Sequence, residues 1–292
     1  MTSQHTHGAH AHDHSASSGS PDDTMTGLLE LDGEVLHDYW SAALDWVKRA
    51  ADGAGPSRLL DLGAGTGTGA LGLAERFPQA EVIAVDIEPG SLARLRDKAH
   101  AGGLEGRVRA VEADLDAGWP DLGPLDLTWA SMSLHHMADP GRVLRDALAV
   151  TRAGGLIAVA EFPEPLRFLP SGPGSGRPGF EERLTETLGR AHAEAMPTLG
   201  SAWAPRLADA GWDVLDERRF PIDLDPPAHP RAAEYARAWF TRLAEGFTGE
   251  LEPGDQATLA ALLAEDGPGA LSDRADLHIR GIRTVTLGRR PS

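Results

Sequence analysis

Leu59-Leu60-Asp61-Leu62-Gly63-Ala64-Gly65-Thr66-Gly67-Thr68-Gly69-Ala70 reads as a short apolar strand, a glycine-rich turn and the first turn of a helix. Glycines at such a junction admit positive φ and let a ligand approach the backbone, and the helix start beyond offers amides without intrahelical partners. The segment Gly65-x-Gly67-x-x-Ala70 formally fits the dinucleotide-binding fingerprint. In that fold, however, the first glycine ends the strand; here that is Gly63, and counting from it puts Thr68 at the third glycine position. The dinucleotide register fails. Asp61, two residues before Gly63, points the same way, because a carboxylate there opposes a pyrophosphate and favours a ligand with positive charge.

Outward from this loop, strands and helices alternate. Arg58 to Leu62, Glu81 to Val85, Arg107 to Val111, Leu125 to Ala130 and the nearly pure apolar run Leu156 to Ala160 have strand character. Thr68 to Phe77, Ser91 to His100 and a segment opened by Asp139-Pro140 have helical character, the last with an N-cap acid and proline at the first helical position. Alternation of this kind specifies a parallel α/β sheet covered by helices on both faces. Upstream, Val35, Leu36, Tyr39, Trp40, Ala43, Leu44 and Val47 recur at helical spacing and predict one amphipathic helix over Leu31 to Ala51. Downstream, nine prolines and glycines between Pro163 and Gly179 predict an unpacked loop suited to a lid. A helix from Phe180 to about Ala193, another near Pro205 to Ala210, a strand from Trp212 to Arg219, two helical segments between Arg231 and about Ala264, and a closing strand through Leu277 to Leu287 follow. The expected organisation is a His-rich disordered tail (1–25), an N-terminal helical segment (26–57) and a main domain (58–292) with a helical insertion at about 228–267.

Composition narrows the function. The chain has 292 residues, 41% of them hydrophobic, enough for a sizeable core. It has no cysteine, which excludes thiolate metal sites and a cysteine nucleophile such as cytosine C5 methylation requires. A net charge of -17 against only 27 Lys and Arg opposes nucleic-acid binding, and no apolar run is long enough to span a bilayer. A small-molecule ligand and a cytoplasmic location are expected, with no membrane or nucleic-acid partner; a homodimer is compatible. The tail histidines His5, His7, His10, His12 and His14 are read as a solvated low-complexity segment, and no metal site is assigned.

The charge at Asp61 suits the ammonium and sulfonium groups of S-adenosylmethionine. From Arg58 to Phe162 the chain resembles the class I S-adenosylmethionine-dependent methyltransferases in motif order. Leu59 to Gly67 is the first motif, and Val82-Ile83-Ala84-Val85-Asp86-Ile87 the second, with Asp86 ending its strand 19 residues after Gly67. Val111-Glu112-Ala113-Asp114-Leu115 resembles the third. Asp126-Leu127-Thr128-Trp129-Ala130-Ser131-Met132-Ser133-Leu134-His135-His136 resembles the fourth as found in small-molecule members, and Arg152-Ala153-Gly154-Gly155-Leu156-Ile157 resembles the turn into strand five.

The resemblance implies a Rossmann-like, doubly wound, seven-stranded sheet, mostly parallel with an antiparallel last strand, carrying a helical cap. It implies S-adenosylmethionine as cofactor, held by Asp61, Gly63, Ala64, Gly65, Gly67, Asp86, Ile87, Asp114, Leu115 and Ser131: Asp86 on the ribose hydroxyls, Ile87 against the adenine, Asp114 and the amide after it at the base edge. Methyl transfer is then a direct displacement onto a small-molecule hydroxyl or amine, with His135 or His136 as general base and Tyr39 and Trp40 on the acceptor side. Asp126, at the start of its strand, is read as structural. Three alternatives stay open: a protein that binds the donor without transferring it, a protein or RNA methyltransferase, and a nicotinamide dehydrogenase. The second lacks an Asp/Asn-Pro-Pro-aromatic segment, since Asp225-Pro226-Pro227-Ala228 ends in alanine.

Overall fold

The computed structural model describes residues 21–292 apart from 52, 54, 171–176 and 268, with backbone alone for 21–24 and 192–195. The His-rich segment 1–20 and the centre of the proline-glycine stretch therefore lie outside the described residues. Seven strands form one sheet in the order β3-β2-β1-β4-β5-β7-β6: β1 (Arg58–Leu62), β2 (Glu81–Asp86), β3 (Val108–Glu112), β4 (Leu125–Ser131), β5 (Thr151–Glu161), β6 (Asp213–Leu224) and β7 (Ile279–Arg289). β7 runs antiparallel to both of its neighbours and the other six strands share one direction, as the motif resemblance implied.

Strand order reverses between β1 and β4. A sheet wound outward in both directions from such a point has crossovers leaving to opposite sides, so a crevice opens beyond the strand carboxyl ends there. One apolar layer packs α2 (His37–Ala51), α3 (Thr68–Arg76) and α4 (Pro89–Ala101) on one face through Val47, Leu73 and Leu95. The opposite layer packs α5 (Pro140–Val150) and α7 (Trp203–Asp209) through Val143, Leu144 and Leu207. Central strands are buried on both sides, which is why their sequences are continuous apolar runs rather than alternating ones. Among the described residues, no helix is long and apolar enough to cross a membrane.

The leading helix differs from its sequence reading in two ways. It starts at Pro21, inside the segment assigned to the tail, and Pro21-Asp22-Asp23 is a helix-start signature that a purely compositional reading passes over. It is also two helices, α1 (Pro21–Val35) and α2, separated at Leu36. The apolar positions run in register through the break, and bonds from Leu36 N to Asp32 O (3.0 Å) and from Trp40 N to Leu36 O (3.1 Å) bridge it, so periodicity carries no mark of it.

The loop after β5 is a second correction. Leu166, Phe168 and Leu169 are buried, Arg167 forms a β-bridge with Arg280, and the amides of Phe168 and Leu169 donate to the Glu181 carboxylate at 2.7 and 3.2 Å. Three large apolar side chains between prolines suffice to dock the segment, despite its turn-rich composition. Beyond it, α6 (Phe180–Ala195), α8 (Ala232–Phe247) and α9 (Pro253–Leu263) join the first layer through Leu184, Leu188, Phe240 and Leu259. The cap thus includes α6 besides the two helices expected from the sequence, and α8 packs along α1.

Asp126 lies at the amino end of β4, away from the crevice. Its carboxylate accepts from Ser57 N (2.8 Å), Ser57 Oγ (3.0 Å), Arg58 N (3.0 Å) and Arg152 Nη1 (2.5 Å), joining the entries of β1, β4 and β5. Burial alone would raise its pKa, but the bonds from Ser57, Arg152 and Arg58 outweigh burial and hold it below the usual carboxylate value. A lowered value means the stabilisation is present above the unfolded-state pKa and is lost as pH falls through the folded one. Asp126→Ala should cost about 1–3 kcal/mol in urea unfolding at neutral pH. The gap from wild type should narrow toward pH 3, with donor affinity unchanged; an altered donor affinity would contradict the structural role.

Candidate active site

The glycine loop is shaped by contacts that only glycine permits. Gly63 has φ +69°, and a Cβ there would stand 2.3 Å from the Ser133 Cβ. Ser133 Oγ donates to Leu62 O at 2.7 Å, so the ends of β1 and β4 are clasped at this point. The amides of Gly63 and Ala64 donate to Val85 O (2.8 and 3.0 Å), and that of Gly65 to Asp86 Oδ2 (2.7 Å). The loop is thereby tied to the end of β2.

Beside it lies a cavity of 410 Å³. Nine of the ten residues expected around the donor line it: Asp61, Gly63, Ala64, Gly65, Asp86, Ile87, Asp114, Leu115 and Ser131. The tenth, Gly67, is not among the lining residues; its Cβ would meet the Leu95 side chain at 2.6 Å, so glycine there serves helix packing. Asp61 is 2% exposed, and its Oδ2 has no hydrogen-bond partner among the described residues. A Cβ on Gly69 would meet that oxygen at 2.7 Å and Trp129 Nε1, also unpartnered, at 2.8 Å. Ser131 Oγ is a third orphan on the same wall. Burial pushes the Asp61 carboxyl up to about 7; the Ala70 amide opposes this and the Asp86 charge adds to it. Buried polar atoms are otherwise almost always paired, so a group left so exposed to desolvation is one awaiting a ligand.

At the other end of the cavity the surfaces suit a flat ring and a ribose. Ile87 is 62% exposed, an unusual state for isoleucine outside a binding surface, and Asp86 retains acceptor capacity beyond its bonds to Gly65 and Glu88. Asp114 Oδ1 accepts from Asp116 N (2.8 Å) and Ala117 N (3.3 Å), which fixes the turn that carries Leu115.

The two histidines part company. His136 lines the cavity; His135 does not, being 5% exposed with its ring 4.2 Å from that of His136 and 5.6 Å from Phe162. His135 Nδ1 stands 2.7 Å from Glu161 Oε2, and both groups are buried. Trp40 lines the cavity, but Tyr39 does not: it is buried against Trp40 and Phe220, so its expected place beside the acceptor is corrected to packing. Adjacent residues on a helix point about 100° apart, and here both are buried, Trp40 toward the cavity and Tyr39 toward Phe220.

Sequence reasoning missed Glu161, Asp32 and Trp129. A signal for Glu161 existed: a charge closing the apolar run Leu156 to Ala160 at the carboxyl end of a central strand. Asp32 was hidden within the amphipathic pattern, and Trp129 was read as part of a motif without a role.

A model of a methyltransferase domain matches residues 59–155. A 27-O-demethylrifamycin SV methyltransferase of Amycolatopsis mediterranei is 32% identical over 258 residues, 82% of this chain and 85% of that protein. This chain belongs to the class I S-adenosylmethionine-dependent methyltransferases. A demethylmenaquinone methyltransferase of Thermus thermophilus is 43% identical over 130 residues, 43% of this chain; the match spans 58% of that relative's length. A solved structure from Bacillus halodurans, described as a methyltransferase, shares the fold with a TM-score of 0.54 at 16% identity, covering 86% of this chain and all of that one.

The methyltransferase uses S-adenosylmethionine, and the orphaned Asp61 with its neighbours fits that donor's ammonium end. A carboxyl raised to about 7 costs the free protein stability as pH climbs from the ordinary value near 3.8 to about 7. Only its ionised form attracts an ammonium. Affinity for S-adenosylhomocysteine by calorimetry should therefore rise with pH to about 7 and level off above, and Asp61→Asn should bind weakly with a flat profile below pH 7. An unaltered wild-type slope in the variant would remove Asp61 from the donor site.

Proposed function

We propose that this methyltransferase transfers a methyl group to a hydroxyl oxygen of a small, largely apolar acceptor, with His136 taking the hydroxyl proton. The observation that carries this reading is that the Asp61 carboxylate, its Oδ2 without a partner among the described residues, and the His136 ring line one cavity, between apolar walls supplied by Met25, Leu29, Trp40 and Met137. The Amycolatopsis relative, aligned along most of both chains, is named for an O-demethylated acceptor, which supports oxygen as the receiving atom.

When bound, S-adenosylmethionine supplies an electrophilic methyl on its sulfonium. Asp61 would hold the donor's ammonium, Asp86 its ribose, and Ile87 with Leu115 its adenine. Gly63, Ala64 and Gly65 would give close backbone approach, and Ser131 would cap the amino-acid end with Asp114 at the base edge. With the donor so fixed, the protein's task is to align the acceptor oxygen behind the methyl and to remove its proton as the new C–O bond forms and the C–S bond breaks. His136, which lines the cavity, would take that proton. His135, in tilted contact with it and held by Glu161, would set the orientation of the pair, much as a carboxylate fixes the ring of a catalytic histidine elsewhere. Water is kept out by α1 and Trp40, which lie over the cavity.

Measured with isotope-labelled donor against a panel of hydroxylated polycyclic acceptors, His136→Ala should lower kcat by about 10²–10⁴ with donor affinity unchanged. Glu161→Gln should act in the same direction more mildly and shift the pH profile. Full turnover in both variants would remove the base from this motif, and absence of transfer to any oxygen acceptor by the wild type would reject the reading.

A further inference from the structure

α1 passes directly over the glycine loop. A Cβ on Gly65 would meet Leu29 Cδ1 at 3.0 Å, and one on Gly33 would meet Thr68 Oγ1 at 2.6 Å. Met25, Leu29 and Asp32, spaced four and three residues apart, fall on one helical face and all line the cavity. The first two are apolar, as a roof over a ring system requires. The third is a carboxylate.

Asp32 is 5% exposed. Its Oδ1 accepts from Trp40 Nε1 at 3.1 Å, and its Oδ2 accepts from the Tyr235 hydroxyl at 2.6 Å and from Arg283 Nη2 at 3.0 Å, the arginine being buried as well. A carboxylate offers about four acceptor positions. Among the described residues three are filled, both of those on Oδ2 included, and the remaining one is on Oδ1, beside Trp40, which lines the same cavity. A buried ion pair seldom stabilises a fold more than apolar residues of the same volume would. Fastening α1 to α8 and β7 is thus a weak reason for a charge here, whereas presenting an acceptor atom to the cavity is a direct one.

We propose that Asp32 recognises the acceptor, receiving the O–H of a second hydroxyl while the first is methylated beside His136. Arg283 cancels the carboxylate's charge at contact distance, so a neutral hydroxyl suits it better than an ammonium. The acceptor class is therefore an apolar ring system bearing at least two hydroxyls, its face against Trp40. This rests on the O-methylation reading above.

Binding of 1,4-, 2,3- and 2,6-dihydroxynaphthalene and of 2-naphthol to protein saturated with S-adenosylhomocysteine tests the role. At least one diol should bind about tenfold or more tightly than 2-naphthol, the worth of one hydrogen bond to a charged group. Asp32→Asn combined with Arg283→Gln keeps a neutral pair and should cut that preference to below about twofold, with S-adenosylhomocysteine affinity held. Tyr235→Phe, which removes a donor to Asp32 outside the cavity, should lower the melting temperature and leave the preference. No diol preference in the wild type, a preference kept by the double variant, or a loss of S-adenosylhomocysteine affinity in it would each overturn the proposal. If the double variant does not fold, Asp32→Glu, which shifts the oxygens by one methylene, carries the test with the same outcomes. A diol bound with preference but never methylated would reject O-transfer and leave the recognition role standing.

Discussion

Gly63 and Ser133 occupy the same few ångströms where β1 and β4 end side by side. A side chain at residue 63 would part the two strands at the point where the sheet's order reverses, and with them the bond from Ser133 Oγ to Leu62 O. From this clasp the rest of the site follows. The chain must turn back with positive φ, the Gly63 and Ala64 amides reach Val85 O, and the Gly65 amide reaches Asp86. Asp61 then lies beneath a loop whose Gly63, Ala64 and Gly65 amides are already engaged elsewhere, which leaves its Oδ2 without a partner among the described residues. The open acceptor on Asp61 Oδ2 is a consequence of how the loop is anchored.

Four acidic groups show how position in the sheet separates structure from chemistry. Asp126, at the amino ends of the strands, is surrounded by donors from Ser57, Arg58 and Arg152. Asp61, Glu161 and Asp32 gather at the carboxyl ends, and among the described residues each is only partly satisfied: Asp61 lacks a partner on Oδ2, Glu161 on Oε1, and Asp32 has an acceptor position over after Trp40, Tyr235 and Arg283. Desolvated charge of this kind is destabilising in the free protein. Its concentration on one side of the sheet places the strain where ligands bring ammonium and hydroxyl groups to relieve it.

The donor half of the site was legible because its constraints are local. A glycine that must adopt positive φ, an acid closing β2 and an exposed isoleucine after it are each fixed by one strand and the turn behind it, so they leave a spaced signature in the sequence. The acceptor half is assembled from distant elements. Glu161 meets His135 across 26 residues, and Arg283 meets Asp32 across 251. No spacing rule links such pairs. The break at Leu36 was invisible for a related reason: apolar residues continue at helical spacing through it, and bonds of helical i→i−4 type run from Leu36 to Asp32 and from Trp40 to Leu36 across it. Tyr39 and Trp40 were legible as a pair on one amphipathic helix, but which of them faces the cavity depends on where α2 lies over the sheet. Leu166, Phe168 and Leu169 were masked by the prolines and glycines around them, since composition averages over a loop and burial does not.

The same division bears on how specificity is arranged. The segment matched by the methyltransferase domain, 59–155, contains Asp61, Gly63, Gly65, Asp86, Ile87, Asp114, Ser131 and both histidines. Asp32, Trp40, Glu161, Tyr235 and Arg283 all lie outside it. The residues proposed for donor binding and proton removal thus fall in the part of the chain that matches the methyltransferase domain, and the polar wall with Asp32 and Arg283 comes from elements before and after it. α1 joins the two: Leu29 rests on the loop and Asp32 on β7 and α8, one helical turn apart. Because a helix turn is rigid, an acceptor seated against Asp32 is placed at a fixed offset from the donor beneath Leu29. On the proposed reading, alignment between the two substrates therefore comes from the pitch of a single helix, which carries the acceptor contact at Asp32 and the loop contact at Leu29 one turn apart.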